Sequence, residues 1–171
     1  MTTMDTARLR LRKPEQEDFE VLYAIHADPR NNRYNPGWIR TTREDFQAFF
    51  DAVLAHHKQY GFGYYVLEDK EDSQVFGMSG LRFATVKDET CLNLYYRITP
   101  SKTRQGFVKE AARKIMDVVL DTTDHAYRVV VLTHEDNIPS RATAVSLGFT
   151  YHPELNDVGG QGNVYYFNDK G

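Results

Sequence analysis

The stretch from Tyr95 to Leu120, YYRITPSKTRQGFVKEAARKIMDVVL, constrains the fold more than any other part of this chain. It reads as a strand stopped by Pro100, a polar loop with one glycine, and a helix opening at Gly106. From there Val108, Ala111, Ala112, Ile115, Val118 and Val119 recur on one helical face. Lys109, Glu110, Arg113, Lys114 and Asp117 take the other. A strand that feeds a glycine turn and a helix N-terminus presents unpaired backbone N–H groups at the positive end of a helix dipole. That is a site for an anion, most often phosphate. Many such turns carry a glycine for steric reasons only, so the feature needs support from the rest of the chain. Downstream, Arg128 to Leu132 (RVVVL) is a short unbroken apolar run, as expected of a strand buried on both faces. The two strands and the helix between them predict one parallel crossover.

Around this unit the remaining elements follow from spacing. Ala7 to Arg12 alternates apolar and basic residues, which predicts a short strand. Pro14 suits a first helical turn, and Phe19, Leu22, Tyr23 and His26 mark one face of a helix ending near Asp28-Pro29. The segment Arg30 to Arg40 is irregular. Thr41-Thr42-Arg43-Glu44 has the spacing of a capping box, followed by the stripe Phe46, Phe49, Phe50, Val53, Leu54 and His57. Gly61 to Leu67 and Gln74 to Phe83 predict two strands, with a third from about Glu89 to Thr99. Asn137 is placed to cap a further helix that Gly148 ends. The tail, Phe149 to Phe167, reads as a hairpin around Gly159-Gly160. The predicted order is β–α–α–β–β–β–α–β–α–β–β, one mixed α/β domain over residues 1–171.

Composition then removes whole classes of function. A net charge of −3 gives no global basic field for nucleic acid. No apolar run approaches the ~20 residues of a membrane helix, and MTTMDTARLRLRK has no signal-peptide core. A lone cysteine, Cys91, cannot form an internal disulfide, which fits a reducing compartment; the expectation is a cytoplasmic protein with no membrane partner. His56-His57 invites a metal reading, but adjacent helical histidines point apart and no cluster has zinc spacing. No metal is expected.

The chain resembles the Gcn5-related N-acetyltransferases (GNAT), and within them the RimJ/RimL branch that acetylates N-terminal amines of ribosomal proteins. Three segments carry the likeness. TARLRLRKPEQEDFEVLYAIHADPRNNRY looks like the branch's opening strand and helix. YYRITPSKTRQGFVKEA is similar to its acetyl-CoA segment, and NIPSRATAVSLGF to its N-x-x-S…G-F helix. The departures are Thr103 and Arg104, where the family loop usually has a tryptophan and an extra glycine, Val108, Val130 on the strand after the crossover helix, and Ala144 on the last helix. The resemblance implies a central mixed, mostly antiparallel twisted sheet of about six to seven strands. It would hold one parallel strand–helix–strand crossover, with helices on both faces.

It also implies an acetyl-CoA-dependent transfer straight to a primary amine. A protein N-terminal α-amine is favoured, with a polyamine, amino acid or aminoglycoside-like amine as other acceptors. Arg104, Gln105, Gly106, Phe107, Val108 and Lys109 would form the pyrophosphate site, Arg97, Ile98 and Thr99 the pantetheine cradle, and Asn137 a further cofactor contact. Ser140 would protonate or hydrogen-bond the leaving thiolate. His134 is the candidate base, with Glu135 and His26 behind it, and Tyr34, Trp38 and Tyr60 are candidates for the acceptor wall. A monomer or homodimer is expected. A second class, an acyl-CoA-binding sensor or interaction module with reduced turnover, rests on Val130 and Ala144.

Overall fold

The computed structural model describes residues 3–31 and 42–169. Tyr34, Trp38 and Thr41 lie outside the described residues. Eight strands form one open sheet in the order β1-β2-β3-β4-β5-β6-β8-β7. They are β1 (Thr3–Asp5), β2 (Leu9–Arg12), β3 (Tyr64–Asp69), β4 (Val75–Val86), β5 (Glu89–Ile98), β6 (Val129–His134), β7 (Thr150–Tyr151) and β8 (Asn163–Phe167). The helices are α1 (Phe19–Ala27), α2 (Arg43–Tyr60), α3 (Phe107–Thr122) and α4 (Ile138–Ser146). Every neighbouring pair is antiparallel except β5 and β6, which α3 joins as the predicted crossover.

The sheet has one strand more than the upper expectation because the N-terminus folds back on itself. Thr6 turns the chain, with its N–H donating to Leu9 O (2.9 Å), so Thr3–Asp5 pairs with Leu9–Arg12. Two caps also sit elsewhere than the spacing predicts. The α2 cap is Thr42, whose hydroxyl accepts from Asp45 N–H at 3.1 Å, one residue past the Thr41–Glu44 register. Pro14 precedes the first helical turn instead of entering it. Asp18 holds the chain there by accepting from Glu15 N–H (2.8 Å) and from both Arg12 guanidinium nitrogens (2.8 Å each).

Two apolar layers flank the sheet. On one face α3 packs Phe107, Ala111, Ala112, Ile115 and Val119 against Leu81, Leu92 and Val131, and Ala144 of α4 joins them. Phe107, which the predicted stripe omits, is buried, while Val108 is only partly so. On the other face α1 and α2 pack Phe19, Leu22, Phe46 and Phe50 on Val66 and Met78. No helix among the described residues is long and apolar enough to cross a membrane.

The end of α2 is tied to β3 and β4 by its adjacent histidines. His57 Nε2 donates to Tyr64 O (2.7 Å); His56 Nδ1 donates to Phe62 O (2.8 Å), which leaves its Nε2 to accept Phe83 N–H (3.2 Å). The His56 ring is therefore neutral, and burial holds the pKa values of both histidines below the usual value. The unfolded chain takes up these protons first as pH falls through 6.5, so stability drops from there towards the folded-state values. The slope is up to about 1.4 kcal/mol per pH unit for each ring. Thermal unfolding followed from pH 8 to pH 5 checks this. Wild type should lose Tm below pH 6.5, and His57→Gln, which keeps a donor for Tyr64 O, should lose less over the same interval. Parallel curves for the two proteins would contradict it.

Candidate active site

The parallel pairing of β5 with β6 is short. It joins Leu92 to Val129 and Asn93 to Val130, and then stops. Leu92 N–H donates towards β6, to Arg128 O at 2.9 Å. Strand alternation turns the backbone groups of Tyr96 and Ile98 to the same side, beyond the last residues of β5 that pair with β6. Thr99 N–H points the other way and is already bonded to Phe76 O (2.8 Å). The result is a cleft of about 960 Å³ at the parting of the two strands, lined by residues from both faces of the sheet. This is within the size range of ligand sites.

On the α3 face the cleft meets two helix N-termini. Gly106 caps α3 at φ +80°, and the first helical bond is Glu110 N–H to Gly106 O (3.1 Å). The N–H groups of Phe107, Val108 and Lys109 precede that bond and have no carbonyl partner within the helix. The helix end is anchored by Arg8, which lies 4.2 Å from the Phe107 ring centroid and pairs with Glu110 (2.7 Å). At α4, Asn137 Oδ1 accepts from Ser140 N–H at 3.2 Å, as a cap should. Ser140 then meets a residue from across the splay. The Tyr96 hydroxyl donates to Ser140 O (3.1 Å) and stands 3.2 Å from Ser140 Oγ. Burial pushes the Tyr96 phenol up to about 12, so it is protonated at neutral pH.

On the opposite face the cleft is aromatic. Tyr64 and Tyr95 stack at 4.7 Å, and Phe49 packs 5.8 Å from Tyr95. His26 is fully buried and is oriented by Nδ1 donation to Leu22 O (2.8 Å), so its Nε2 accepts the Tyr95 hydroxyl (2.7 Å). Arg82 and Asn93 are direct cross-strand partners here, with Arg82 lying 5.2 Å over the Tyr64 ring. Lining cations include Arg82, Arg97, Arg104 and Lys109, whereas no Asp or Glu among the described residues lines the cleft.

The acetyltransferase (GNAT) domain family matches residues 8–150, most of the chain. The chain belongs to this GNAT family. It is therefore an acyltransferase by family. YkkB of Bacillus subtilis is a curated relative, 26% identical over 153 residues that cover 88% of this chain and 86% of YkkB. The acetyltransferase of Agrobacterium tumefaciens C58 superimposes with a TM-score of 0.83 at 22% identity, covering 99% and 95% of the two chains. RimL, described as a ribosomal L7/L12 α-N-protein acetyltransferase in complex with coenzyme A, superimposes at 0.72 with 16% identity and coverage of 98% and 99%.

Within this GNAT fold, Arg97, Ile98, Arg104, Gly106, Phe107, Val108, Lys109, Asn137 and Ser140 all line the cleft. Thr99 and Gln105 belong to the same loop but do not line it. His134 ends β6 outside the cleft, with Nδ1 accepting Asp136 N–H (3.2 Å) and its far edge against Gly162. Tyr60 lies away from the cleft at the end of α2, packed on His56 (4.6 Å) and Phe83 (4.8 Å). Tyr34 and Trp38 fall outside the described residues. The sequence reading missed Tyr96, Arg82 and Asn93. Their strand parity was legible, but their neighbours depend on register.

Proposed function

We propose that this chain is an acetyl-CoA-dependent N-acetyltransferase that passes the acetyl group directly to a primary amine. A protein N-terminal α-amine is the favoured acceptor, in the manner of the RimJ/RimL branch. The observation that carries this reading is the cleft through the sheet at the end of the β5–β6 pairing. Helix N-termini lie on one side of it and a separate aromatic compartment on the other, so two substrates can enter from opposite faces.

The Gly106 turn supplies N–H groups and the Arg104 and Lys109 charges to a pyrophosphate. The open edge of β5 gives amide-bonding groups to the pantetheine arm and a backbone N–H for the thioester oxygen. As the amine bonds to the carbonyl carbon and the C–S bond breaks, Ser140 Oγ gives its proton to the departing sulfur and regains one from water, with Tyr96 holding the serine in place. The amine proton leaves to water. No lining carboxylate is available among the described residues to take it, which favours an acceptor that arrives neutral. An α-amine near pKa 8 is partly neutral at pH 7, whereas a lysine near ~10.4 is ~3 pKa units less so. On this reading Val130 and Ala144 do not mark a lost catalytic pair: both side chains are fully buried in the core.

We read residues 1–171 as one acetyltransferase domain working in the cytoplasm, as a monomer or homodimer. The test is an acetyl-CoA titration by calorimetry, followed by thiol release against peptides, polyamines and aminoglycosides. Binding with release on peptides is expected. Binding without release on the whole panel would make the chain an acyl-CoA sensor, and absence of binding would remove the reading altogether.

A further inference from the structure

The acceptor compartment is chemically one-sided. Arg30 pairs with Asp28 (2.7 Å), and Lys102, on the loop after β5, pairs with Asp69 (2.8 Å). Arg82 is different. Partly buried on β4, it rests over the Tyr64 ring, and no carboxylate among the described residues lies within ion-pair distance of it. Its cross-strand partner Asn93 donates through Nδ2 to the Tyr64 hydroxyl (3.3 Å), while Asn93 Oδ1 is buried and accepts nothing. Among the described residues it is the buried side-chain polar atom left without a partner, and Asn93 lines the cleft. A buried unsatisfied acceptor costs about 1–3 kcal/mol.

We propose that the acceptor amine also carries an anionic group, a carboxylate or a phosphate, which Arg82 binds. The flat walls of Tyr64, Tyr95 and Phe49 hold the part between them. A polyamine or aminoglycoside brings extra cations to a compartment that has no lining acid to receive them, so these acceptors are disfavoured. The inference rests on the acetyl-transfer reading above and narrows its substrate class.

Matched pairs of acceptors test it: a dipeptide with a free carboxylate against its C-terminal amide, and an aminoalkyl phosphate against the corresponding amino alcohol. Each is followed by thiol release and by calorimetric binding to the coenzyme A complex. The acid of at least one pair should exceed its neutral partner in kcat/KM or in affinity by tenfold or more, and the pair that does so identifies the anion. Arg82→Gln should bring that ratio towards one, and Arg82→Lys should keep part of it. Acetyl-CoA affinity should be unchanged in both variants, which reports an intact fold. Equal behaviour of acid and neutral partners, a preference for polycations, or acids that neither turn over nor bind would each overturn the inference. Failure of acetyl-CoA itself to bind would instead sink the acetyl-transfer reading.

Discussion

Gly106→Trp is expected to lower acetyl-CoA affinity at least a hundredfold, measured by calorimetric titration. Gly106 sits at φ +80°, which L side chains adopt at a cost of roughly 1–2 kcal/mol. Local space is not the obstacle, since a Cβ there would meet only Arg8 Nη2 at 3.4 Å. What the indole takes is the space in front of the first three N–H groups of α3. Hydrogen bonds from such groups to a charged partner contribute about 1.5–3 kcal/mol each, so losing two exceeds a hundredfold in Kd. Gly61→Ala separates this from backbone strain. Gly61 has φ +81° and nothing within 4 Å of a Cβ, and it lies outside the cleft lining. It should lose Tm and keep its affinity for acetyl-CoA. Retention of binding within fivefold in Gly106→Trp would show that the anion is held elsewhere.

The elements around this turn were legible because they depend on local chemistry. The α3 stripe, the Gly106 turn, the Asn137 cap and the doubly buried β6 each follow from residues a few positions apart. Phe107 was harder to read. It stands at the first helical position, where the apolar period has only begun, and its burial depends on Arg8 from the N-terminal hairpin. Arg104, where the family loop usually has a glycine, takes φ +62° itself, so the loop follows a left-handed path without that glycine. What no local rule contains is the point where β5 and β6 part company. That divergence turns Tyr96 and Ile98 into an open edge, and the β4–β5 register sets Arg82 beside Asn93. The same limit explains His134 and Tyr60. His134 was placed by its position at the end of β6 and Tyr60 by the family resemblance, and neither is among the residues that line the cleft.

Ser140→Ala is expected to lower kcat about 10²-fold or more while leaving KM for acetyl-CoA near its wild-type value, the range for loss of a positioned proton donor. Tyr96→Phe should follow with a smaller loss, because the phenol touches Ser140 O and Oγ (3.1 and 3.2 Å) and orients the serine. If the two hydroxyls act as one unit, the double variant should fall well short of the product of the single losses. The choice of donor separates proton transfer from packing. Coenzyme A is a poorly acidic thiol whose departing sulfur needs a proton, whereas an acetyl thioester of an acidic aryl thiol leaves readily as the anion. Ser140→Ala should therefore lose most of its defect with the aryl thioester, and a merely misfolded site would not recover. The phenol, pushed up to about 12, stays protonated through pH 10, so Tyr96→Phe should not move the pH–rate profile in the range below. Equal defects with both thioesters would remove Ser140 from the proton path and leave it as a first-turn residue of α4.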